Sequence, residues 1–296
     1  MSSADGSSAD GVANGAGVIH DIGYQRYTGP RLGRRHLVGA LYLHGLRTAF
    51  GLGRTAKAKI FPGIAIVLAF GVAVVAVAIR SQTHEVAVTY LQYTDALSIP
   101  MLLFLAVVAP ELVCRDLRSR VLSLYFSRPL RRFDYAVARL AAVVSAVWLL
   151  LAGPLLLMFL GGAFAQTGGA SGAWHEFTDF LGGLGYAAMT AVVLGAVAVP
   201  LASLSSRRAV GAVIIVGAFL VTTPVIGVLS GVGGPTARQL APLLNPVGVL
   251  NGLEVWIYRT SVLEIGRFGP LYLAVAVFLV AAGVAGLGLR YRRVAV

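Results

Sequence analysis

Long apolar runs alternate with short polar ones along this chain. Six blocks are apolar almost throughout, spanning roughly residues 61–79, 96–113, 136–160, 180–203, 209–230 and 269–289. At a rise of about 1.5 Å per residue, each is long enough to cross a hydrocarbon core about 30 Å thick. Inside lipid every backbone polar group needs a partner within its own segment, so each block is expected to be a helix. The expected fold class is therefore all-α, a polytopic membrane protein with six transmembrane helices.

The segments before the first block divide in two. Residues 1–17 are small and polar, and a stretch of that composition cannot bury enough apolar surface to offset its chain entropy. A disordered tail is expected there, and no basic stretch followed by an apolar one marks a signal peptide. Residues 18–60 are basic. Within them His36 to Phe50 has helical periodicity, with His36, Ala40, His44 and Arg47 on one face and Val38, Tyr42, Leu46, Ala49 and Phe50 opposite. An amphipathic helix lying at the membrane interface is expected. Residues 61–293 hold the six-helix domain.

Composition sharpens this division. Hydrophobic residues make up 57% of the chain and charged residues 12%, about half the share usual in soluble domains. The net charge is +12, which on its own would allow a nucleic-acid partner. The position of the charge points elsewhere. Arg26, Arg31, Arg34, Arg35, Arg47, Arg54, Lys57 and Lys59 precede the first block. Arg115, Arg118, Arg120, Arg128, Arg131, Arg132 and Arg139 lie between the second and third. Arg207 and Arg208 follow the fourth, and Arg290, Arg292 and Arg293 the sixth. The other side holds only Arg80, Arg238, Arg259 and Arg267. The positive-inside rule makes the first group cytosolic, with both termini inside, as an even number of spans also requires. The preference for Arg over Lys, with abundant Ala, Val and Gly, suggests a bacterial chain and hence the cytoplasmic (inner) membrane.

The most informative loop is APELVCRDLRSRVLSLYFSRPLRRFDYAVAR, residues 109–139. Glu111 and Arg115 stand four apart, as do Asp116 and Arg120, in the order that favours a helix. From Asp116 to Phe126 the apolar positions Leu117, Val121 and Leu124 share one face, and Asp116, Ser119, Arg120 and Ser123 the other. Pro129 forbids continuation and pushes Arg128 toward an extended backbone. A short cytosolic helix with an apolar stripe, suited to docking a partner, is expected. Glu111 reads as an interfacial carboxylate paired with Arg115.

These residues resemble the first cytosolic loop of ABC-2 type transporter permeases. In that family an acidic residue near the end of the second span precedes a charged turn, a short apolar helix, a Ser/Thr-Arg-Pro-Leu turn and a basic residue entering the third span. Glu111, Arg115-Asp116, Leu117 to Phe126, Ser127-Arg128-Pro129-Leu130 and Arg139 are similar to those parts. Arg139 stands where lysine is common. The six-span layout and the helix before the first span are also similar, so the resemblance covers roughly residues 30–293. It implies the permease subunit of an ABC exporter, coupled to a cytosolic ATPase through Arg115, Asp116, Leu117, Val121, Leu124, Arg128 and Pro129. It also implies a second permease half, identical or different.

The last external loop, residues 231–268, contains Asn245-Pro246, a helix N-cap followed by a first helical position. Val249, Leu253 and Trp256 then fall on one face, and Trp256 and Tyr258 suit a membrane interface. A short external helix resting in the outer leaflet is expected.

Several function classes lack their residues. No Gly-x-x-x-x-Gly-Lys-Ser/Thr occurs, so ATP is expected to be bound and hydrolysed by the partner and not by this chain. His20, His36, His44, His84 and His175 lie outside the blocks and show no His-Glu-x-x-His spacing, so no metal is expected. A membrane-embedded hydrolase would need a catalytic constellation inside the spans, and the blocks hold almost no ionisable residue. A non-transporting scaffold or sensor is the other alternative to a permease. The single cysteine, Cys114, excludes an intramolecular disulfide and reads as a small residue at a helix end.

Overall fold

A computed structural model describes residue 29 and residues 33–53, 56–83, 85–118, 125, 130–165 and 169–293, with the backbone alone at Lys57, Leu117 and Arg293. The expected tail, residues 1–17, lies outside the described residues, as do positions 119–124 and 126–129 of the loop between the second and third spans.

All regular structure among the described residues is helical. The order is α1 (Arg34–Ala49), α2 (Ala56–Thr83), α3 (Tyr90–Ala96), α4 (Ser98–Arg118), α5 (Arg132–Ala165), α6 (Gly169–Ser203), α7 (Arg208–Leu220), α8 (Thr222–Val232), α9 (Pro235–Leu240), a 3-10 turn (Ala241–Leu244), α10 (Pro246–Tyr258) and α11 (Gly269–Arg293). Six stretches are long and apolar enough to cross a membrane: Ala58–Thr83, Ser98–Asp116, Arg132–Ala165, Gly169–Ser203, Arg208–Val232 and Gly269–Arg292. Each contains or closely overlaps one of the six apolar blocks, so the all-helical fold carries six helices suited to spanning a membrane, and the bent pair Pro235–Leu244 and Pro246–Tyr258 is a further candidate.

Burial ranks these spans. The apolar windows of α4, α5 and α6 are 61%, 44% and 56% buried, whereas those of α2, α7–α8 and α11 are 22%, 11% and 22% buried. The first three therefore form the centre, with α5 and α6 packed along each other, and the others stand around it. Small residues allow the close approach. Ala138, Ala142 and Ala146 are buried on α5, as are Ala187, Ala191, Ala198 and Ala202 on α6.

Two helices are longer than a membrane crossing requires. At 34 and 35 residues, α5 and α6 are each about 50 Å long, well beyond a 30 Å core. The early start of α6 adds Gly169 to Asp179, a polar stretch that hydropathy assigns to a loop.

The helix α1 packs on α5 and buries Leu41, Gly45 and Ala49. His36, Ala40, His44 and Arg47 are all exposed, and Tyr42, Leu46 and Phe50 are partly buried. Leu43 is exposed as well, so the open side of α1 is mixed in polarity.

Side-chain bonds gather at the two ends of the bundle. One end, rich in arginine, joins the ends of α1, α4, α5, α6, α7 and α11. At the opposite end α9 and α10 fold back on themselves, the two halves of this helical pair meeting at 120°. Asn245 makes the corner. Its Oδ1 accepts from the Val247 amide at 2.9 Å, and its Nδ2 donates to the Phe219 carbonyl at 2.9 Å and the Thr222 hydroxyl at 2.9 Å. The expected N-cap at Asn245-Pro246 is present, and the same side chain also ties the pair to the break between α7 and α8. Gly248 is needed at this corner, because a Cβ there would lie 2.3 Å from the Pro242 carbonyl oxygen.

Candidate functional site

At the arginine-rich end, Asp116 and Arg139 form a buried clamp. Asp116 lies in the last turn of α4, which runs on to Arg118 without a break. Arg139 is two turns into α5 and only 2% exposed. Its guanidinium donates to Asp116 Oδ2 and stands over the Tyr135 ring, 5.4 Å from the centroid. The Tyr135 hydroxyl donates to the same oxygen at 2.6 Å, and its ring packs edge-on against Tyr291 of α11 at 5.1 Å. The end of α4 and the start of α5 are thus fastened to each other.

A wider rim surrounds the clamp. Arg208, the first residue of α7, pairs with Glu111, while the Arg115–Glu111 pair stands at 3.9 Å. The expected Glu111–Arg115 pair is therefore the longer of two ion pairs, and the shorter one joins α4 to α7. Arg34 reaches Asp134 at 2.5 Å, Arg132 donates to the Arg292 carbonyl at 2.8 Å, and Arg290 donates to the Ser203 carbonyl at 3.2 Å. Cys114 is buried, and its thiol donates to the Ala202 carbonyl at 3.3 Å. It is a packed residue between α4 and α6, as a small residue at a helix end would be.

The residues assigned to partner coupling have different fates. Arg115 is exposed at this end. Asp116 was expected on the solvated face of a separate short helix. Instead it is 8% exposed and bonded inward, because Arg139 and Tyr135 compete successfully with water for its carboxylate. The Leu117 side chain and Val121, Leu124, Arg128 and Pro129 lie outside the described residues.

At the opposite end a cavity of about 600 Å³ opens between α2, the segment 86–92, α6 and α10. Arg80, near the end of α2, crosses its wall to Glu176 in the overrun of α6, with Nη1–Oε1 at 2.9 Å and Nη2–Oε2 at 2.5 Å. The Tyr90 hydroxyl donates to the same carboxylate. Burial and the adjacent Glu176 hold the Tyr90 phenol well above its ordinary value. Gly162 makes room for this pair, since a Cβ there would come within 2.4 Å of Arg80 Nη1 and 2.5 Å of Glu176 Oε1.

Deeper in the same wall lies Glu254, on α10 and 0% exposed. Asp95 on α3 is close by, its Oδ1 accepting from Tyr186 at 2.6 Å. Tyr258 donates to the Gly182 carbonyl at 2.9 Å, locking α10 to α6. Trp256 is 42% exposed, unlike Val249 and Leu253, which are fully buried. The expected common face therefore splits, with its aromatic end pointing outward beside Gly269.

Neither Glu254 nor the Arg80–Glu176 pair was singled out from the sequence. Glu254 sits in a 13-residue apolar helix between a leucine and a valine, a signal that the search for charges within long blocks passes over. No group of three or more His, Cys, Asp or Glu side chains able to hold a metal ion occurs among the described residues.

No protein-family profile matches this chain, and no curated protein matches it.

Proposed function

We propose that this protein is the membrane-spanning permease subunit of an ATP-driven exporter of the ABC-2 type. The cytosolic ATPase is a separate subunit, and a second permease half completes the transport path. The arginine-rich end is the cytosolic one, with both termini inside, and α1 lies along the inner interface of a bacterial cytoplasmic membrane. ATP binds to the partner, so this chain carries no catalytic residue of its own.

The observation that carries this reading is the Asp116–Arg139 clamp, which joins the two helices that the segment 119–129 connects in sequence. A docking element transmits work only if it is rigidly joined to what it must move. Here a force applied to the loop reaches α4 and α5 together, and through Tyr135 and Tyr291 it also reaches α11. The sequence motif from Glu111 to Arg139 supports the same assignment. Sparse burial of α2, α7–α8 and α11 leaves wide apolar faces for lipid and for a second permease half.

The test is to look beside the coding sequence of this chain for an ATPase with a Walker A motif, co-express the two and purify them in nanodiscs. A stoichiometric complex with ATP turnover that depends on the permease is expected. An active ATPase that never associates with this chain contradicts the proposal.

A further inference from the structure

Glu254 is a carboxyl group in a place that does not suit a carboxylate. It is fully buried, and neither Oε1 nor Oε2 has a hydrogen-bonding partner. Among the described residues no arginine, lysine or histidine forms an ion pair with it. Leaving a bare carboxylate unpaired at such a site costs far more than protonating it. The groups that act on it are a second carboxyl group, Asp95, and the Thr260 and Tyr186 hydroxyls, with Asp95 the strongest of the three. Two carboxylates present only acceptors to each other, so a proton must stand between them.

The surroundings complete the site. Asp95 Oδ1 is already taken by Tyr186. Thr190 Oγ1, Asn251 Oδ1 and Thr260 Oγ1 are buried close by without partners. A void of about 10 Å³ beside Asp95, Thr190 and Asn251 has room for about one water. The charged and titratable groups facing Glu254 are Asp95 from α3, Tyr186 from α6 and Tyr258 from its own helix. Across the cavity Arg80 and Glu176 neutralise each other with Tyr90 bonded to them, and Asp179 and Arg259 also line it. Tyr272 of α11 lies against Gly252, and its hydroxyl is engaged by the Gln239 carbonyl.

We propose that Glu254 and Asp95 form a proton-binding pair, in which the neutral Glu254 carboxyl donates its proton to the Asp95 carboxylate and so latches α10 onto α3 and α6. The proton comes from solvent through the cavity that Glu254 lines. This assignment does not depend on the exporter reading.

The helix α10 lies outside the six spans, and burial there, reinforced by Asp95, pushes the Glu254 carboxyl up to about 8. The folded chain therefore holds a proton that the unfolded chain releases near the ordinary glutamate value of about 4.3. Between these two values the folded state binds more protons than the unfolded one, so stability falls as pH rises. The fall levels off above the raised value.

The test is a pH titration of the purified full chain in nanodiscs by infrared spectroscopy, alongside its thermal unfolding. A protonated-carboxyl C=O band is expected at neutral pH and is lost on the alkaline side of the raised value. Glu254→Gln removes the band and flattens the decline of the unfolding temperature across that window. Asp95→Asn removes the like charge and supplies an amide donor, so the band's midpoint moves to lower pH. Should Glu254→Gln fail to fold, the wild-type band and the Asp95→Asn shift still decide. Absence of the band in the wild type, or its survival in Glu254→Gln, overturns the proposal. A sodium-for-choline exchange that raises the unfolding temperature of the wild type but not of Glu254→Gln also overturns it, by assigning the site to a metal cation.

Discussion

Arg139 on α5 donates to Asp116 on α4, joining two buried side chains that stand 23 positions apart in the chain. Only the loop at 119–129 and its short flanks separate them in sequence. The clamp therefore joins the two helices on either side of the segment proposed to dock the ATPase.

Removing one member of the clamp should destabilise strongly, because the other charge is left buried without a partner. Asp116→Asn and Arg139→Gln are each expected to lose about 3–5 kcal/mol. Replacing both with apolar residues, Asp116→Leu with Arg139→Met, should recover most of that loss. Arg139→Lys should recover little, since an ammonium lacks the planar group that lies over Tyr135. Thermal unfolding in detergent, read by size-exclusion chromatography, measures all four. Equal losses for the double and single variants contradict the buried-clamp account.

At the opposite end, Gly162→Ala places a methyl where Arg80 and Glu176 meet. Overpacking of this kind costs about 1–3 kcal/mol. The variant should be less stable than the wild type by that amount, measured by the same unfolding assay. Gly286→Ala on α11, where a Cβ meets nothing within 4 Å, is the control and should be silent. Equal effects of the two substitutions would show that the Arg80–Glu176 pair is not tightly seated.

Orientation can be read by labelling. In a Cys114→Ser background, Thr236→Cys and Arg207→Cys place single thiols at exposed positions on opposite ends of the bundle. An impermeant thiol reagent applied to intact cells is expected to label only the protein carrying cysteine at 236. Labelling at 207 instead would invert the topology, and with it the cytosolic position of the clamp.

The spans were legible in the sequence because a 20-residue apolar run leaves a helix as its only economical form in lipid. The cap at Asn245-Pro246 was legible because capping is local chemistry. The overrun of α6 was not, because Gly169 to Asp179 is polar and mostly exposed, and its one buried side chain, Glu176, is tied to Arg80 and Tyr90 from distant parts of the chain. Asp116 shows the same limit. Periodicity placed it on the polar side of a short helix, but Arg139 supplies a partner that water would otherwise have replaced. Glu254 was hidden for a related reason. A single carboxyl among apolar neighbours looks like a surface residue until the fold-back of α9 and α10 carries it against Asp95. Each miss is a long-range contact between residues that local patterns treat separately.

The most direct test of the account concerns Val121, in the segment that connects α4 to α5 in sequence. If Leu117, Val121 and Leu124 seat in a cleft of the ATPase, a carboxylate at 121 strands a charge in an apolar contact, costing several kcal/mol unless paired. A loss of about 1.4 kcal/mol already lowers affinity about tenfold. Val121→Asp should therefore leave membrane insertion intact while sharply reducing recovery of the ATPase on co-purification and abolishing permease-dependent ATP turnover. Ser123→Asp, on the opposite face of the same stretch, should do much less. A Val121→Asp protein that retains full partner binding and turnover would contradict the coupling assignment and remove the main support for a permease.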